Sequence, residues 1–378
     1  MKDSSISVVK FGGSSFATPE RFGPVVEWVA ALAAQRPVVC VVSAPSGSTE
    51  RFRDELLSFN AAPTDRLVDA GLPLADSFGA VLVASALQAG GLNTAVALGN
   101  QTGLRSDRNP MRARLLDVDL TPLRRLLSEH RVVVVPGGQA SALETGETTW
   151  LGKNSSDLSA VALAAGFGCT EVAIHSDVPG VFTSDPAVVE ASYVLPQLSH
   201  HQAIAMSLSG AKVLHHRAVE YALERGLRIV CRANQGNFEI GTVLEVDGSQ
   251  HPVIVPDMRS QVFVGDTDAV AEGMTQLAGV DVPHFSMPGS SANTRRLVVT
   301  CGFFEAQQFL LRRHQLALHA EPSKLLSVLG VGPQPLRELV SPERMRERAA
   351  YLHQQHCDAV APMRLPGYAP TTLGRQHV

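Results

Sequence analysis

The feature that most constrains what this chain can fold into is an alternation running through its first two thirds. Short apolar, β-branched runs are separated by longer Ala- and Leu-rich stretches. The runs fall at 6–11, 38–42, 94–98, 132–135, 171–175 and 227–230, and the helix-like stretches at 19–35, 75–90, 122–130, 156–166 and 211–225. Strands that each wait for a helix before the next strand arrives are joined by crossovers. The pattern therefore predicts an α/β fold with a mostly parallel sheet covered by helices on both faces. The unbroken run Val132, Val133, Val134, Val135 fits a strand buried on both sides.

At 378 residues the chain exceeds what one core usually serves, roughly 100–200 residues, so two or three domains are expected. The polar, turn-forming stretch DGSQHP at 247–252 reads as a linker. Beyond it, short strands at 261–264, 296–301 and 325–329 flank helices at 269–279, 305–316 and 335–353 in a smaller α+β arrangement. The Pro- and Gly-bearing tail at 362–378 is expected to be extended. A net charge of −4 argues against a nucleic-acid-binding protein, and 45% hydrophobic residues argue against a disordered chain. Five scattered cysteines without a C-x-x-C pair suit neither a disulfide framework nor a zinc cluster. With no signal peptide pattern and no run of about 18 apolar residues, a cytoplasmic protein without a membrane partner is expected.

Five strings carry chemistry. KFGGSS at 10–15 follows a strand: Lys10 offers a positive charge, and Gly12 and Gly13 let backbone N–H groups approach an anion, although the string alone equally suits a glycine turn. It is not a G-x-x-x-x-G-K loop. SAPSGST at 43–49 places hydroxyls, among them Ser43 and Thr49, at a strand's carboxyl end, where ligands collect in open α/β sheets; a plain surface turn is the alternative. TTWLGKNSSDLSA at 148–160 runs into a helix that Ser155 or Ser156 would cap, with Lys153 just ahead and Asp157 in the first turn, either as a chemical group or as a partner of the helix dipole. HSDVPGVFTSDP at 175–186 is long and specific, yet could simply build a loop. SGAKVLHH at 209–216 places Lys212 at the predicted start of a helix, against the dipole, which favours an anion-binding role.

Together and in this order, over residues 8–244, these strings resemble the aspartokinase branch of the amino-acid kinase family. The matching patterns are K-F-G-G-[ST]-S, V-S-A-x-x-G-x-T, G-E-T-T-x-L-G, the Ser-Asp pair ending at Asp157, D-V-x-G-V-[FY]-T-x-D-P and G-A-K-V-L-H. The resemblance implies a three-layer α/β/α sandwich over 1–245 that phosphorylates a carboxylate with ATP, most simply that of aspartate. Lys10 would stabilise the transferring phosphoryl group, with Asp157 orienting the lysines and Lys212 contacting ATP. Gly12, Gly13 and Ser14 would line the phosphates. Ser176, Asp177, Phe182, Asp185 and Pro186 would hold adenosine and the adjacent phosphates. Mg2+ is expected to arrive on the nucleotide, with no metal site belonging to the chain. Such chemistry asks for positioning and charge compensation, which these residue types supply.

The substrate side departs from the family pattern. Ser43, Thr49 and Ser156 match it, but the family's G-R-G-G-S-D is GKNSSD at 152–157, so Lys153 replaces a carboxylate-clamping arginine and loses its bidentate fork. A family glutamate is shortened to Asp76, and a serine is lost at Gly79. An acceptor other than aspartate is therefore a close competitor, and a catalytically silent binding protein is an alternative of another class. Residues 253–378 resemble degenerate ACT domains, with Ala292 and Thr294 at positions where the family presents effector-facing side chains. The expectation there is a dimerising region with reduced feedback control. The arginines between Leu104 and Leu116 suggest a solvated or dimer-facing helix, and the pairs His200-His201 and His215-His216 are expected to be packed or exposed rather than ligating.

Overall fold

The strand Val38–Val42 is buried at all five positions, and each buried valine contributes about 1.5–3 kcal/mol. It is an interior strand of the larger sheet. The computed structural model describes residues 6–300 and 305–357; Cys301, Phe304 and the tail at 362–378 lie outside the described residues. The chain divides into two compact units, Met1–Gly180 with Leu214–Gly248, and Val181–Val213 with Ser249–Val378.

The first unit begins with β1 (Ser7–Phe11), α1 (Phe22–Gln35), β2 (Val38–Val42), α2 (Ser48–Phe59), α3 (Asp65–Gly71), α4 (Pro73–Ala89) and β3 (Thr94–Val96). It continues through β4 (Leu104–Ser106), β5 (Leu115–Val118), α5 (Thr121–Glu129), β6 (Val132–Pro136), β7 (Gln139–Ala142), β8 (Thr148–Trp150), α6 (Ser156–Gly166) and β9 (Glu171–Ser176). The chain then supplies β10 (Gln197–Ser199) and α7 (His200–Leu208) to the second unit, and returns for α8 (His216–Arg225), β11 (Arg228–Ala233) and β12 (Ile240–Glu245).

Within the first unit the strands run β12-β11-β9-β1-β2-β6-β3, all parallel except β12. Val9, Phe11, Cys40, Val42 and Val134 face α1 and α4. The alternate residues, Lys10 among them, therefore point to the opposite face, where α6 packs against β1, β2 and β9 and α8 packs on α6. Helices thus cover both faces, as the alternation predicts. A smaller sheet, β5-β4-β7-β8, stands apart.

The stretch Asp65–Ala89, with mean hydropathy 1.5, is the one helix among the described residues long and apolar enough to cross a bilayer. Half of it is buried, and its Ala80, Val83, Ala84 and Leu87 belong to the core beneath β1, β2 and β6.

Three expectations fail locally. The arginine-rich stretch is no helix: Leu104 and Ser106 are buried on either side of Arg105, a two-residue period, and Met111 takes φ +66°. The helix expected from 211 begins only at His216, because Gly210 at φ +99° turns the chain out of α7. The helix expected over 335–353 is the strand β19 (Leu336–Val340) followed by α10 (Pro342–His356).

In the second unit β13 (Val253–Asp257) precedes β14 (Gln261–Asp266), α9 (Thr267–Gly279), β15 (His284–Pro288), β16 (Thr294–Val299), a single-turn π-helix (Gln308–Arg313) and β17 (His319–Glu321). The sheet order β15-β16-β14-β17 makes this a βαββαβ module of the ferredoxin-like kind. The next strand, β18 (Lys324–Leu329), pairs with β13 and β19, and α10 packs on that three-stranded sheet through Met345 and Ala349.

Candidate active site

In a parallel sheet the carboxyl ends of neighbouring strands point their backbone and following loops the same way, so residues at those ends gather. Lys10, one residue before the end of β1, pairs with Val41 and Ile174 across the sheet and points toward α6. Its Nζ lies 2.8 Å from Asp157 Oδ1, and both side chains are about nine-tenths buried. Asp157 is the second residue of α6, and its Oδ2 accepts from the His215 backbone N–H at 3.4 Å. The negative charge thus sits in a helix first turn, where the dipole favours it, and also binds the lysine.

The loop after β2 closes over this pair. Ser43 and Ser156 share a hydrogen bond between hydroxyls at 2.8 Å, and the Ala44 N–H donates to Asp76 Oδ1 at 2.7 Å. Asp76 is buried in the first turn of α4; burial pushes its pKa up to about 7, against the lowering effect of the Ala44 N–H and of Lys10. Gly13 lies so close to Ala44 O, and Gly137 so close to Ser156, that neither position has room for a Cβ. Gly79 is also tightly packed, since a Cβ there would meet Ser43 O at 3.1 Å and Pro45 at 3.0 Å.

The glycine loop after β1 is tied to β9 and β11. Gly12 N–H donates to His175 O at 3.2 Å. The Asn234 amide oxygen accepts from the Ser14 and Ser15 hydroxyls at 2.9 and 3.0 Å while its NH2 donates to Ser176 O at 3.2 Å, an orientation assigned from this network. Ser176 Oγ donates to Asp177 Oδ1 at 3.0 Å. Asn234 is a site residue that the motifs missed; its position just past the end of a parallel strand was the available signal. His175 stacks on Phe11 at 4.4 Å between ring centroids, with Trp28 and Phe238 around it, and burial drops its pKa to about 3. A neutral imidazole in an aromatic box is packing that holds the loop, not an acid or base.

Lys153 and Thr49 sit beside α2. Lys153 Nζ bonds Glu50 Oε1 at 2.5 Å, and Thr49 precedes Glu50 in the first turn of that helix. Burial raises the Glu50 pKa, but the hydrogen bond and charge of Lys153 outweigh it and leave the group below its ordinary value. Glu50 was not singled out from sequence because α2 reads as a continuation of a hydroxyl-rich loop.

The remaining candidates belong to the second unit. Phe182 is buried and bridges to Val194; Asp185 Oδ1 accepts from Ala187 N–H at 2.9 Å, with Pro186 between them; Lys212 is exposed in the loop between α7 and α8. The structure therefore gathers Lys10, Asp157, Ser43, Ser156, Asp76, Gly12, Gly13, Ser14, Ser176 and Asp177 on one unit, and carries Phe182, Asp185, Pro186 and Lys212 on the other. The first set, an ammonium, hydroxyls and a close-approach glycine, fits an anionic phosphate ligand. Among the described residues no three His, Cys, Asp or Glu side chains gather as metal ligands.

Comparison with known proteins places this geometry. The model of the amino acid kinase family matches residues 5–233. The aspartokinase of Corynebacterium efficiens is 31% identical over 293 residues, covering 77% of this chain and 67% of that protein. The aspartokinase of Geobacillus stearothermophilus is 34% identical over 252 residues, 66% of this chain and 61% of that one. The chain thus spans about two thirds of the length of these relatives. In fold it is similar to E. coli aspartokinase III in complex with aspartate and ADP, with a TM-score of 0.75 at 20% identity, covering 92% of this chain and 99% of that one. The same enzyme in complex with lysine and aspartate superimposes with a TM-score of 0.65 at 20% identity.

Proposed function

Because the chain belongs to the amino acid kinase family, in its aspartokinase branch, we propose that it transfers a phosphoryl group from ATP to the side-chain carboxylate of aspartate. The observation that carries this reading is the buried Lys10–Asp157 pair at 2.8 Å, set at the strand ends beside a glycine loop in which Gly13 has no room for a side chain. When bound, ATP supplies the γ-phosphoryl group: a P–O bond forms to the acceptor oxygen, the bond to the departing ADP oxygen breaks, and an acyl phosphate results. A carboxylate is already ionised at neutral pH, so the site needs no general base. Lys10 offsets charge on the transferring group, and Asp157 fixes where that ammonium points. Gly12, Gly13 and Ser14 line the phosphates, Ser176, Asp177, Phe182, Asp185, Pro186 and Lys212 hold the nucleotide, and any Mg2+ rides on it. On the acceptor side, Ser43, Thr49 and Ser156 offer hydroxyls, Asp76 receives an amine, and Lys153 receives a carboxylate.

One observation favours a second acceptor. Lys153 is held by Glu50 at a site where the family pattern has an arginine, and a point charge recognises a carboxylate with less angular demand than a fork. A related amino acid or small carboxylic acid would then serve. Incubation with ATP and a panel of acids, trapping the product with hydroxylamine, separates the readings. A hydroxamate with aspartate alone supports the first; a hydroxamate with another acid and none with aspartate supports the second; none at all with any acid removes both.

Residues 1–245 act as the kinase domain in this reading and 253–378 as an ACT-like region through which two copies pair. The βαββαβ module and the three-stranded half-module beside it support that assignment. The position matched to an effector-facing side chain is the exposed methyl of Ala292, and Thr294 Oγ1 accepts from Ser291 N–H at 3.1 Å within the β15–β16 turn. Feedback inhibition by lysine or threonine is therefore lost.

A further inference from the structure

Lys212 lies two residues past Gly210, and Gly210 is where the C-terminal region touches the motif that carries this lysine. Helix α7 ends in a Schellman turn: Gly210 N–H donates to Ser207 O at 3.0 Å and Ala211 N–H to Met206 O at 3.0 Å, with Gly210 at φ +99°. Such a turn leaves carbonyls facing outward, and here side chains from the C-terminal strands take two of them. Thr300, just after β16, donates to Leu208 O at 2.7 Å, and Arg259, just after β13, donates to Gly210 O at 3.1 Å.

Asp257, the last residue of β13, is 1% exposed. Its Oδ1 accepts from the Arg259 backbone N–H at 3.0 Å, with the Arg259 Nε 4.0 Å away, while Oδ2 has no hydrogen-bond partner and is aimed at Gly210. Any Cβ on Gly210 would overlap this carboxylate. At the other end of α7, Gln202 and His251 exchange hydrogen bonds in both directions, so the helix is held from the C-terminal region at its start as well. Burying a carboxylate with one oxygen unpaired is costly. A turn that needed only to be a turn would not require it.

We propose that Asp257 and Arg259 are positioning residues for Lys212, fixing the Gly210 turn so that the C-terminal region sets where the lysine stands. The proposal rests on the reading of Lys212 as a nucleotide-contacting lysine. It deepens that reading by assigning the lysine's placement to residues outside the kinase motifs. Neither Asp257 nor Arg259 touches substrate. Their loss is expected in nucleotide affinity, with acceptor affinity and the fold left intact.

The test compares steady-state kinetics of the full chain and its variants with ATP and the accepted acid, together with ADP binding by calorimetry and thermal melting. Arg259→Ala is expected to raise the KM for ATP about tenfold and weaken ADP binding equally, with the acceptor KM unchanged. Asp257→Ala should behave in the same way. Asp257→Asn, which keeps the volume and the acceptor for the Arg259 N–H, should restore ATP affinity. If Arg259→Ala and Asp257→Ala lower the melting temperature but leave the ratio of the two KM values unchanged, the residues are structural and the proposal is overturned. Failure of Asp257→Asn to restore ATP affinity would overturn it too. Lys212→Ala separates the two layers. If that variant keeps full ATP affinity, the underlying reading falls and the inference with it. If it loses affinity while Arg259→Ala does not, only the inference falls.

Discussion

Lys10 and Lys212 are both assigned to the phosphates, yet the chain treats them differently. Lys10 is 9% exposed and ion-paired, on a strand paired in parallel on both sides. Lys212 is exposed, on a loop whose turn is fixed by side chains arriving from beyond residue 250. The first lysine is preorganised by the sheet itself and has no freedom to regulate. In the proposed reading the second takes its position from residues outside the kinase motifs, which would make it the point where the C-terminal region acts on catalysis. Preorganised charge at the reacting centre is where enzymes of this kind gain most.

The sharpest way to break this comparison is Lys10→Ala. It is expected to lower kcat by on the order of 10²–10³, leaving Asp157 buried without its cation. Lys212→Ala should act mainly on the KM for ATP. Equal losses of kcat in the two variants, measured under saturating ATP, would remove the distinction.

Next in size is Gly137→Ala. A methyl there collides with Ser156 at the start of α6 and drives that residue from Ser43. The expected cost is about 1–3 kcal/mol in denaturant unfolding, with a fall in kcat because Asp157 follows Ser156. The same substitution at Gly332, where a Cβ meets nothing and φ is not positive, as it is not at Gly137, serves as the collision-free control.

Asp76 gives a pH signature that neither lysine provides. Its pKa is pushed up to about 7 by burial, while an exposed aspartate titrates near 4. Between those values the folded chain holds a proton that the unfolded chain has released, so this group makes the fold less stable as pH rises from about 4 toward 7. Activity would run the other way if Asp76 receives the acceptor amine as proposed, because its carboxylate appears as pH passes 7. The acceptor KM should fall between pH 6 and 8, and Asp76→Asn should flatten that profile while raising the KM throughout. A profile unchanged by the substitution would show that Asp76 does not meet the acceptor.

How much of this was legible in the sequence depends on what kind of signal each part carries. The strands Val38–Val42 and Val132–Pro136 announce themselves because burial on both faces requires unbroken apolar runs. Lys10, Asp157 and the glycines lie within strings whose order is informative. Helix α2 was lost because Ser48, Thr49 and Glu50 read as a polar loop, and with it went Glu50, the partner of Lys153. The register of Leu104–Ser106 was hidden by its arginines, whose charge suggests a surface helix when only a two-residue period, three residues long, says otherwise. Asp257 and Arg259 meet Gly210 more than forty residues away, and no local pattern reports a contact of that range.

The smallest expected effect concerns the Lys153–Glu50 pair. Its side chains are 33% and 45% exposed, so solvent screens it and it contributes no more than about 1 kcal/mol. If Lys153 receives the acceptor carboxylate as proposed, a weak pair is useful, because the acceptor would displace Glu50 at little cost and Glu50 would hold the lysine between turnovers. Glu50→Gln removes the competing charge, and the acceptor KM should fall roughly two- to fivefold with the KM for ATP unchanged. Lys153→Arg restores a fork and should favour whichever acid presents its carboxylate edge-on, changing the ranking of acceptors more than the rate with any one of them. If Glu50→Gln instead raises the acceptor KM, Glu50 is itself part of the recognition surface. The lysine would then meet the acceptor as half of a pair.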